Sequence, residues 1–314
     1  MATTNKHGLP QPLMNLLKRD DYTRGDARIS ITQLIGSPRI SILREAHKNE
    51  ITEDISDKFW ALMGTNIHKI LERGADEEHL AEERLFMDVD GVRISGGIDL
   101  QRTRDGKVGI VDWKFTSVYS ATSSKPDWEA QLNCYAHLVR VSKLVKVESV
   151  EVCAILRDWS GSKAKVALRR AGVYGDPDYP QAPVIMVPFR LWSPMEAEDY
   201  IHTRVQVHRD AARARDWGEQ LPLCTDAERW AKPTTYAVHL NKSRRAARVF
   251  DARDDADLFL AGRLAQGQSG EVVERAGVAT RCEGNYCSVS QFCDQYRDVS
   301  SGVVVHGDDD DEGN

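Results

Sequence analysis

The segment spanning residues 96–114 constrains the fold more than any other part of the chain. Apolar stretches on either side of Asp105-Gly106, a turn-forming pair, predict two short strands joined as a hairpin. Because side chains alternate between the two faces of a strand, Asp112 and Lys114 share a face, and Asp99 on the neighbouring strand lies beside Asp112. Two carboxylates next to an ammonium group predict a hard-cation site suited to phosphodiester hydrolysis.

Length and composition predict a globular protein. The 314 residues are 41% hydrophobic, which is enough for one large domain or for a core with a smaller appendage. No apolar run approaches the roughly 20 residues that span a bilayer, so no membrane association is expected. Residues 1–12 lack the pattern of a signal peptide, which predicts a cytoplasmic protein with reduced or metal-bound cysteines.

The net charge of −6 does not exclude a nucleic-acid partner, because much of the negative charge is local. Five acidic residues lie within residues 308–312, and the rest of the chain carries 42 basic and 43 acidic residues. Basic clusters occur at residues 204–215 and 242–248. Each cluster could follow a phosphate backbone or form an ordinary solvated face.

The pattern of residues along the chain predicts four regions. Residues 1–27 are polar and contain several prolines, which indicates a flexible leader. Residues 28–220 alternate between helical and strand patterns, so we expect an α/β core with a mixed sheet flanked by helices. Residues 221–299 are charged and hold four of the six cysteines, and residues 300–314 form a predicted disordered acidic tail.

Two predicted helices bring polar groups to the hairpin. The helix over residues 54–73 carries Gly64 and His68 on one face, and Gly64 would let this helix approach the sheet closely. A second helix, over residues 127–141, carries Gln131 and Tyr135 one turn apart. Between the first helix and the hairpin, an additional Asp-Gly pair at residues 90–91 predicts another tight turn.

These features together resemble a known family, the RecB-like branch of the PD-(D/E)xK nuclease superfamily. Gly97-Ile98 stands before Asp99 where the family name has a proline. The resemblance implies a restriction-endonuclease-like fold. It rests on the order and spacing of His68, Asp99, Asp112, Lys114, Gln131 and Tyr135.

The resemblance also implies a role for each residue. Lys114 would position the attacking water and stabilise the transition state, while Gln131 and Tyr135 would help to place the DNA strand. Ordinary core packing remains an alternative for His68, Gln131 and Tyr135. The ligands implied for Mg²⁺ or Mn²⁺ are His68, Asp99, Asp112 and the backbone carbonyl of Trp113.

The cysteine-rich region predicts a second metal site. Cys282, Cys287 and Cys293 form a tight triplet, and Cys224 is the best candidate for a fourth ligand. The layout resembles the iron-sulfur variant of RecB-like nucleases, which implies a 4Fe-4S cluster; structural Zn²⁺ is the alternative. The first gap of the triplet is wider than in those relatives, and the distant cysteine follows the nuclease motifs.

The resemblance implies a metal-dependent DNA exonuclease of the stand-alone phage type. It would act on DNA ends, single-stranded or unwound, in recombination, replication or repair, in bacterial or phage-infected cytosol. A helicase or a single-strand annealing or recombinase protein would be its partner. Two alternatives remain, a structure-specific endonuclease that cuts flaps or branches and a catalytically silent DNA-binding or assembly subunit.

Overall fold

The structure, a computed structural model, describes residues 2–17, 25–123, 125–172 and 175–300. The chain divides into two compact units. The first comprises Met1–Pro38 and Thr52–Gln220, and the second comprises Arg39–Ile51 and Leu221–Asn314. The predicted core also ends at residue 220, but residues 39–51 belong to the second unit. The predicted acidic tail lies outside the described residues from residue 301 onwards.

Strands and helices alternate along much of the chain. The strands are β1 Ala2–Thr4, β2 Ile29–Ser30, β3 Thr52–Asp54, β4 His79–Val89, β5 Val92–Arg104, β6 Lys107–Thr116, β7 Lys146–Leu156, β8 Val184–Phe189, β9 Ala231–Lys232, β10 Thr235–Leu240, β11 Arg248–Phe250, β12 Gly270–Arg275 and β13 Val278–Ala279. The α-helices are α1 Gln11–Leu17, α2 Ile31–Ile35, α3 Pro38–Ala46, α4 Phe59–Glu72, α5 Val118–Thr122, α6 Pro126–Lys143, α7 Gly161–Ala171, α8 Pro194–Trp217, α9 Asp226–Arg229, α10 Arg253–Leu264, α11 Thr280–Glu283 and α12 Asp294–Ser300. Two 3-10 turns cover Ile55–Lys58 and Ser290–Phe292.

The first unit is built on the predicted mixed sheet. Its strands lie in the order β2, β5, β6, β7, β8, and β4 also pairs with β5. The β6–β7 pair is parallel, whereas β4–β5, β5–β6 and β7–β8 are antiparallel. Helix α6 packs against β7 and β4 through Leu132 and Leu138, which are fully buried in the main hydrophobic cluster. The α/β fold class predicted from the sequence is therefore confirmed.

Two Asp-Gly turns set the register of the three central strands. Asp90 and Gly91 have φ angles of 49° and 76°, and Asp105 and Gly106 have φ angles of 49° and 71°. Positive φ at both central residues is the signature of the type I′ turn, which matches the twist of a hairpin. Each turn fixes how the residues of its two strands face one another, and this determines which side chains reach the site described below.

Part of the predicted flexible leader is folded. Strand β1 pairs in parallel with β3, and the Asp54 carboxylate accepts hydrogen bonds from the Thr4 hydroxyl at 2.7 Å and the Lys6 amide at 2.8 Å. Helix α1 follows. The predicted flexible leader therefore contains a strand and a helix, because a carboxylate far along the chain accepts hydrogen bonds from it that local sequence does not reveal. Residues 18–24 lie outside the described part of the chain.

The second unit joins a short early segment to the cysteine-rich region. Arg39 is only 1% exposed, and its guanidinium donates to the carbonyl of Leu221 at 2.7 Å and forms an ion pair with Asp294. Burial of an arginine requires such partners, because an unpaired charge in the interior is strongly unfavourable. The three-stranded sheet of the second unit has the strand order β11, β10, β12. In neither unit is a described helix long and apolar enough to cross a bilayer.

Candidate active site

Three acidic residues occupy neighbouring positions across the central strands. Counting from the Asp90-Gly91 turn, β4 pairs Ala81 with Leu100 and Glu83 with Ile98, so Glu82 lies opposite Asp99. Beyond the second turn, the pairing of β5 with β6 ends at Leu100 and Val111, so Asp99 and Asp112 lie next to each other just past its end. Residues opposite one another in an antiparallel pair point to the same side of the sheet. The two turns therefore align Glu82, Asp99 and Asp112.

Glu82 interrupts the ladder at this point. It has a φ angle of 53°, in the left-handed region, and the Glu82–Asp99 position is absent from the pairing between β4 and β5. The left-handed conformation costs a residue other than glycine about 1–2 kcal/mol. Such strain is concentrated at functional sites, which makes the Glu82 carboxylate a candidate site group.

His68 of α4 closes the cluster. Its Nδ1 lies 3.4 Å from Glu82 Oε1 and 3.4 Å from Asp99 Oδ1, and its Nε2 lies 3.2 Å from the Trp113 carbonyl oxygen. Burial alone would lower the pKa of His68, but Asp99 and Glu82 outweigh this effect and raise it to about 10. In the absence of a metal, the positive charge of the imidazolium therefore balances these carboxylates.

The donor set fits a hard divalent cation. The potential ligand atoms of His68, Glu82 and Asp99 lie within 4.8 Å of one another, and no other trio of His, Cys, Asp and Glu in the described ranges is this close. Carboxylate oxygens suit Mg²⁺ and Mn²⁺, and an imidazole nitrogen favours Mn²⁺. The Asp99 carboxylate is held in place by the Trp113 amide, which donates to Oδ2 at 2.8 Å.

Asp112 and Lys114 form a buried ion pair beside this trio. Lys114 Nζ lies 2.6 Å from Asp112 Oδ2, yet this buried oxygen accepts no well-aligned hydrogen bond from any described residue. Burial raises the pKa of Asp112 to about 6, although the charge of Lys114 opposes the shift. Burial would lower the pKa of Lys114, but Asp112 and Asp99 raise it above its usual value. Lys114 is therefore protonated and balances the charge of the Asp112 carboxylate.

Two residues of α6 continue from Lys114 as a hydrogen-bonded chain. Lys114 Nζ donates to Gln131 Oε1 at 3.3 Å, and Gln131 Nε2 donates to the Tyr135 hydroxyl at 2.8 Å. Burial and the nearby charge of Asp112 raise the pKa of Tyr135, so the phenol stays neutral. The chain gives the ammonium group a second partner in addition to the Asp112 carboxylate.

Comparison with protein families identifies the fold and its chemistry. A model of the PD-(D/E)XK nuclease superfamily matches residues 39–294, which is most of the chain. The chain belongs to the PD-(D/E)XK nuclease superfamily. Nucleases of this superfamily act on nucleic acids and use divalent metals, in agreement with the cluster of His68, Glu82 and Asp99.

Similarity to individual proteins is weak by comparison. The crystal structure of SSO0001 is 16% identical over 62% of this chain and 84% of its own, with a TM-score of 0.41. A candidate exonuclease from Eubacterium rectale is 14% identical over 68% of this chain and 76% of its own, with a TM-score of 0.32. A search of curated proteins gives no significant match.

The structure brings most of the predicted site residues together and adds one. His68, Asp99 and the Trp113 carbonyl meet at one point, and Asp112, Lys114, Gln131 and Tyr135 form the adjoining chain. Glu82 is absent from the sequence-based site. The Asp90-Gly91 turn was the signal that could have found it, because this turn fixes its position opposite Asp99. The neighbouring Glu83 instead pairs with Lys143 at 2.5 Å.

The four cysteines predicted to share a metal line one cavity in the second unit. Burial raises the pKa of the Cys282 thiol to about 11, and proximity to Cys287, Cys224 and Cys293 adds to the effect. Gln295 fixes the distant Cys224, since its side chain accepts from the Cys224 amide at 2.9 Å and donates to the Cys224 carbonyl at 3.0 Å. Cys134 lies buried in the first unit instead.

Proposed function

We propose that the protein is a metal-dependent DNA exonuclease of the RecB-like branch, acting at DNA ends. The alignment of Glu82, Asp99 and Asp112 beside Lys114 is the observation that carries this proposal, because it combines a hard-cation site with a fixed positive charge. A binding module has no need for this combination. Membership of the nuclease superfamily supports the same chemistry.

The proposed metal ligands are His68, Glu82, Asp99 and Asp112, with the carbonyl of Trp113 beside them. A bound divalent cation neutralises phosphate charge and lowers the pKa of its water. As an imidazolium, His68 has no nitrogen lone pair to offer a cation, so it must lose a proton to become a ligand. The Trp113 amide holds Asp99 in a single orientation, so this ligand needs no rearrangement.

Lys114 is proposed to orient the attacking water and to stabilise negative charge that develops on the phosphate. Its ammonium is fixed from two sides, by Asp112 at 2.6 Å and by Gln131 at 3.3 Å. A donor held in place before the reaction stabilises a transition state without further reorganisation. Tyr135 acts through Gln131, to which its hydroxyl is hydrogen-bonded, and is therefore a positioning residue.

Digestion of two DNA forms tests the proposal. The protein is incubated with linear DNA and with covalently closed circular DNA, each with Mg²⁺, Mn²⁺ or EDTA. Exonuclease activity predicts degradation of linear DNA alone and only with metal. Cutting of closed circles would identify a structure-specific or other endonuclease. Binding without hydrolysis of either form would identify a catalytically silent DNA-binding subunit and would overturn the proposal.

We also propose that the four cysteines hold a 4Fe-4S cluster. Four cysteine thiols around one cavity match the ligand number of a cubane cluster or of structural zinc. The resemblance of the cysteine layout to iron-sulfur RecB-like nucleases is what favours the cluster over structural Zn²⁺.

Iron content and absorption test the cysteine proposal. Anaerobically purified protein should be brown, absorb near 400 nm and contain about four irons per chain, and Cys224→Ser should lose both signals. Cys134→Ser is the matched control, because Cys134 is buried away from the cavity, in the other unit. Stoichiometric zinc without iron would contradict the iron-sulfur proposal and leave the nuclease proposal intact.

We place this activity in DNA recombination, replication or repair in bacterial or phage-infected cytosol. A helicase or a single-strand annealing protein is the proposed partner, because it would supply or use the single-stranded ends. Co-purification from infected cells would test this association, and its failure would leave the enzymatic proposal unaffected.

A further inference from the structure

An aromatic surface with a positive charge is formed on the two elements, α4 and β6, that also carry proposed active-site residues. It consists of Trp60 of α4, Phe115 of β6 and Arg157, which follows the end of β7, and we call it the Trp60 platform. The rings of Trp60 and Phe115 are 6.1 Å apart between centroids, and the Arg157 guanidinium lies 4.5 Å from the centre of the Trp60 ring. The Arg157 amide donates to the Thr116 carbonyl at 2.8 Å, which fastens its backbone to β6.

The Trp60 indole is open to solvent although it has partners. It is 51% exposed, and Arg157 is exposed as well. Phe59 packs edge-on against it, with centroids 5.3 Å apart. A large aromatic side chain in water, supported by packing and paired with a cation, presents a flat stacking surface together with a positive charge.

Two contacts between α4 and β6 place the platform near the reacting groups. His68 contacts the Trp113 carbonyl of β6, and Trp60, two helical turns before His68 on α4, packs on Phe115 of the same strand. Eight residues of α-helix correspond to about 12 Å, which equals a few nucleotides of a DNA strand. A strand held at the metal site can therefore extend its neighbouring nucleotides to the platform.

We propose that the Trp60 platform stacks an unpaired base of the strand being cut, so that single-stranded DNA is the preferred substrate. The inference rests on the proposed nuclease function. In a duplex both faces of each internal base are covered by its neighbours, so an internal base can lie on the indole only when it is unpaired. Arg157, for which no described carboxylate provides an ion pair, adds charge complementary to the backbone phosphates.

Fluorescence anisotropy tests the platform without requiring turnover. Wild type, Trp60→Ala and Trp60→Phe are titrated in EDTA into a labelled 15-nucleotide oligodeoxythymidine, a duplex of equal length and an oligouridine. Trp217→Ala is the matched control, because Trp217 is also an exposed helical tryptophan (71%) with an arginine, Arg213, 5.9 Å from its ring. Stacking of an unpaired thymine predicts that Trp60→Ala weakens binding of the single strand roughly 5-fold to 100-fold.

The expected pattern is specific to stacking. Trp60→Phe should restore most of the affinity, duplex binding should be unchanged, and Trp217→Ala should behave as wild type. Equal losses for oligouridine would extend the site to unpaired RNA, because stacking does not read the sugar. Unchanged single-strand affinity in Trp60→Ala, or equal losses for the duplex, would overturn the proposal. Failure of wild type to hydrolyse DNA with metal would instead refute the nuclease function.

Discussion

Replacing Glu82 by glycine separates its proposed role as a ligand from any role in stability. Glycine adopts positive φ freely, so the change removes about 1–2 kcal/mol of backbone strain. Glycine loses more conformational entropy on folding, which lowers the free energy of unfolding by about 0.5–1 kcal/mol. The ion pair with His68 at 3.4 Å is partly exposed and contributes at most about 1 kcal/mol. The free energy of unfolding without metal should therefore change by no more than about 1.5 kcal/mol in either direction.

Metal affinity should respond much more strongly to the same change. Loss of a group that only orients a ligand lowers metal affinity about 10-fold to 100-fold, and loss of a ligand should cost at least as much. Such a reduction corresponds to about 1.4–2.8 kcal/mol of binding free energy. Calorimetric titration with Mn²⁺ measures it, and urea unfolding in EDTA measures stability. Glu83→Gln is the control, because Glu83 pairs with Lys143 instead.

The opposite pattern would refute this reasoning. A Glu82→Gly protein that loses several kcal/mol of stability but binds Mn²⁺ like wild type would make Glu82 a structural residue. Its left-handed conformation would then need another explanation. A reduction in affinity in Glu83→Gln as large as that in Glu82→Gly would show that general negative charge, and not a specific ligand, attracts the metal.

Two further predictions concern packing and pH. Gly96→Ala should lower the free energy of unfolding, measured in urea, by about 1–3 kcal/mol, because its Cβ would lie 2.9 Å from Ile31 Cδ1 and Leu138 Cδ2. Gly64→Ala is the control. A Cβ at Gly64 meets nothing within 4 Å, so this change should be neutral or stabilising. Hydrogen bonds from the Lys6 amide, Ser56 and Thr4 hold the pKa of Asp54 well below its usual range, so the ionised carboxylate stabilises the fold above pH 4. Asp54→Asn should therefore be less stable than wild type at pH 7, and this difference should shrink as the pH falls below about 4; a constant difference would contradict the role of the charge.

The sequence predicted which of the candidate residues lie close together where local turns determine it. Asp105-Gly106 fixed the neighbourhood of Asp99 and Asp112, and the order of motifs located Lys114, Gln131 and Tyr135. Glu82 could also have been predicted, because the Asp90-Gly91 turn places it opposite Asp99. The expected role of Gly64 was wrong, since a Cβ there meets nothing. Gly96 is the glycine that close packing requires.

Other features depend on contacts between distant parts of the chain. The inclusion of residues 39–51 in the second unit depends on Arg39, whose partners Leu221 and Asp294 lie more than 180 residues away. Strand β1 depends on β3 in the same way. Alternation and turn signals act over a few residues, so they give no information about such pairings. The left-handed conformation of Glu82 also requires tertiary contacts that no local pattern specifies.

The most direct test of the central claim is the rate of metal-dependent DNA hydrolysis by Lys114→Ala. We expect a fall of about 100-fold or more with DNA affinity retained, because a preorganised charge at the phosphate is lost. Lys143→Ala is the matched control, since Lys143 is also a partly buried lysine and pairs with Glu83 and Gln101 outside the acidic trio. It should hydrolyse DNA at the wild-type rate. A Lys114→Ala protein that hydrolyses DNA as fast as wild type would contradict the account.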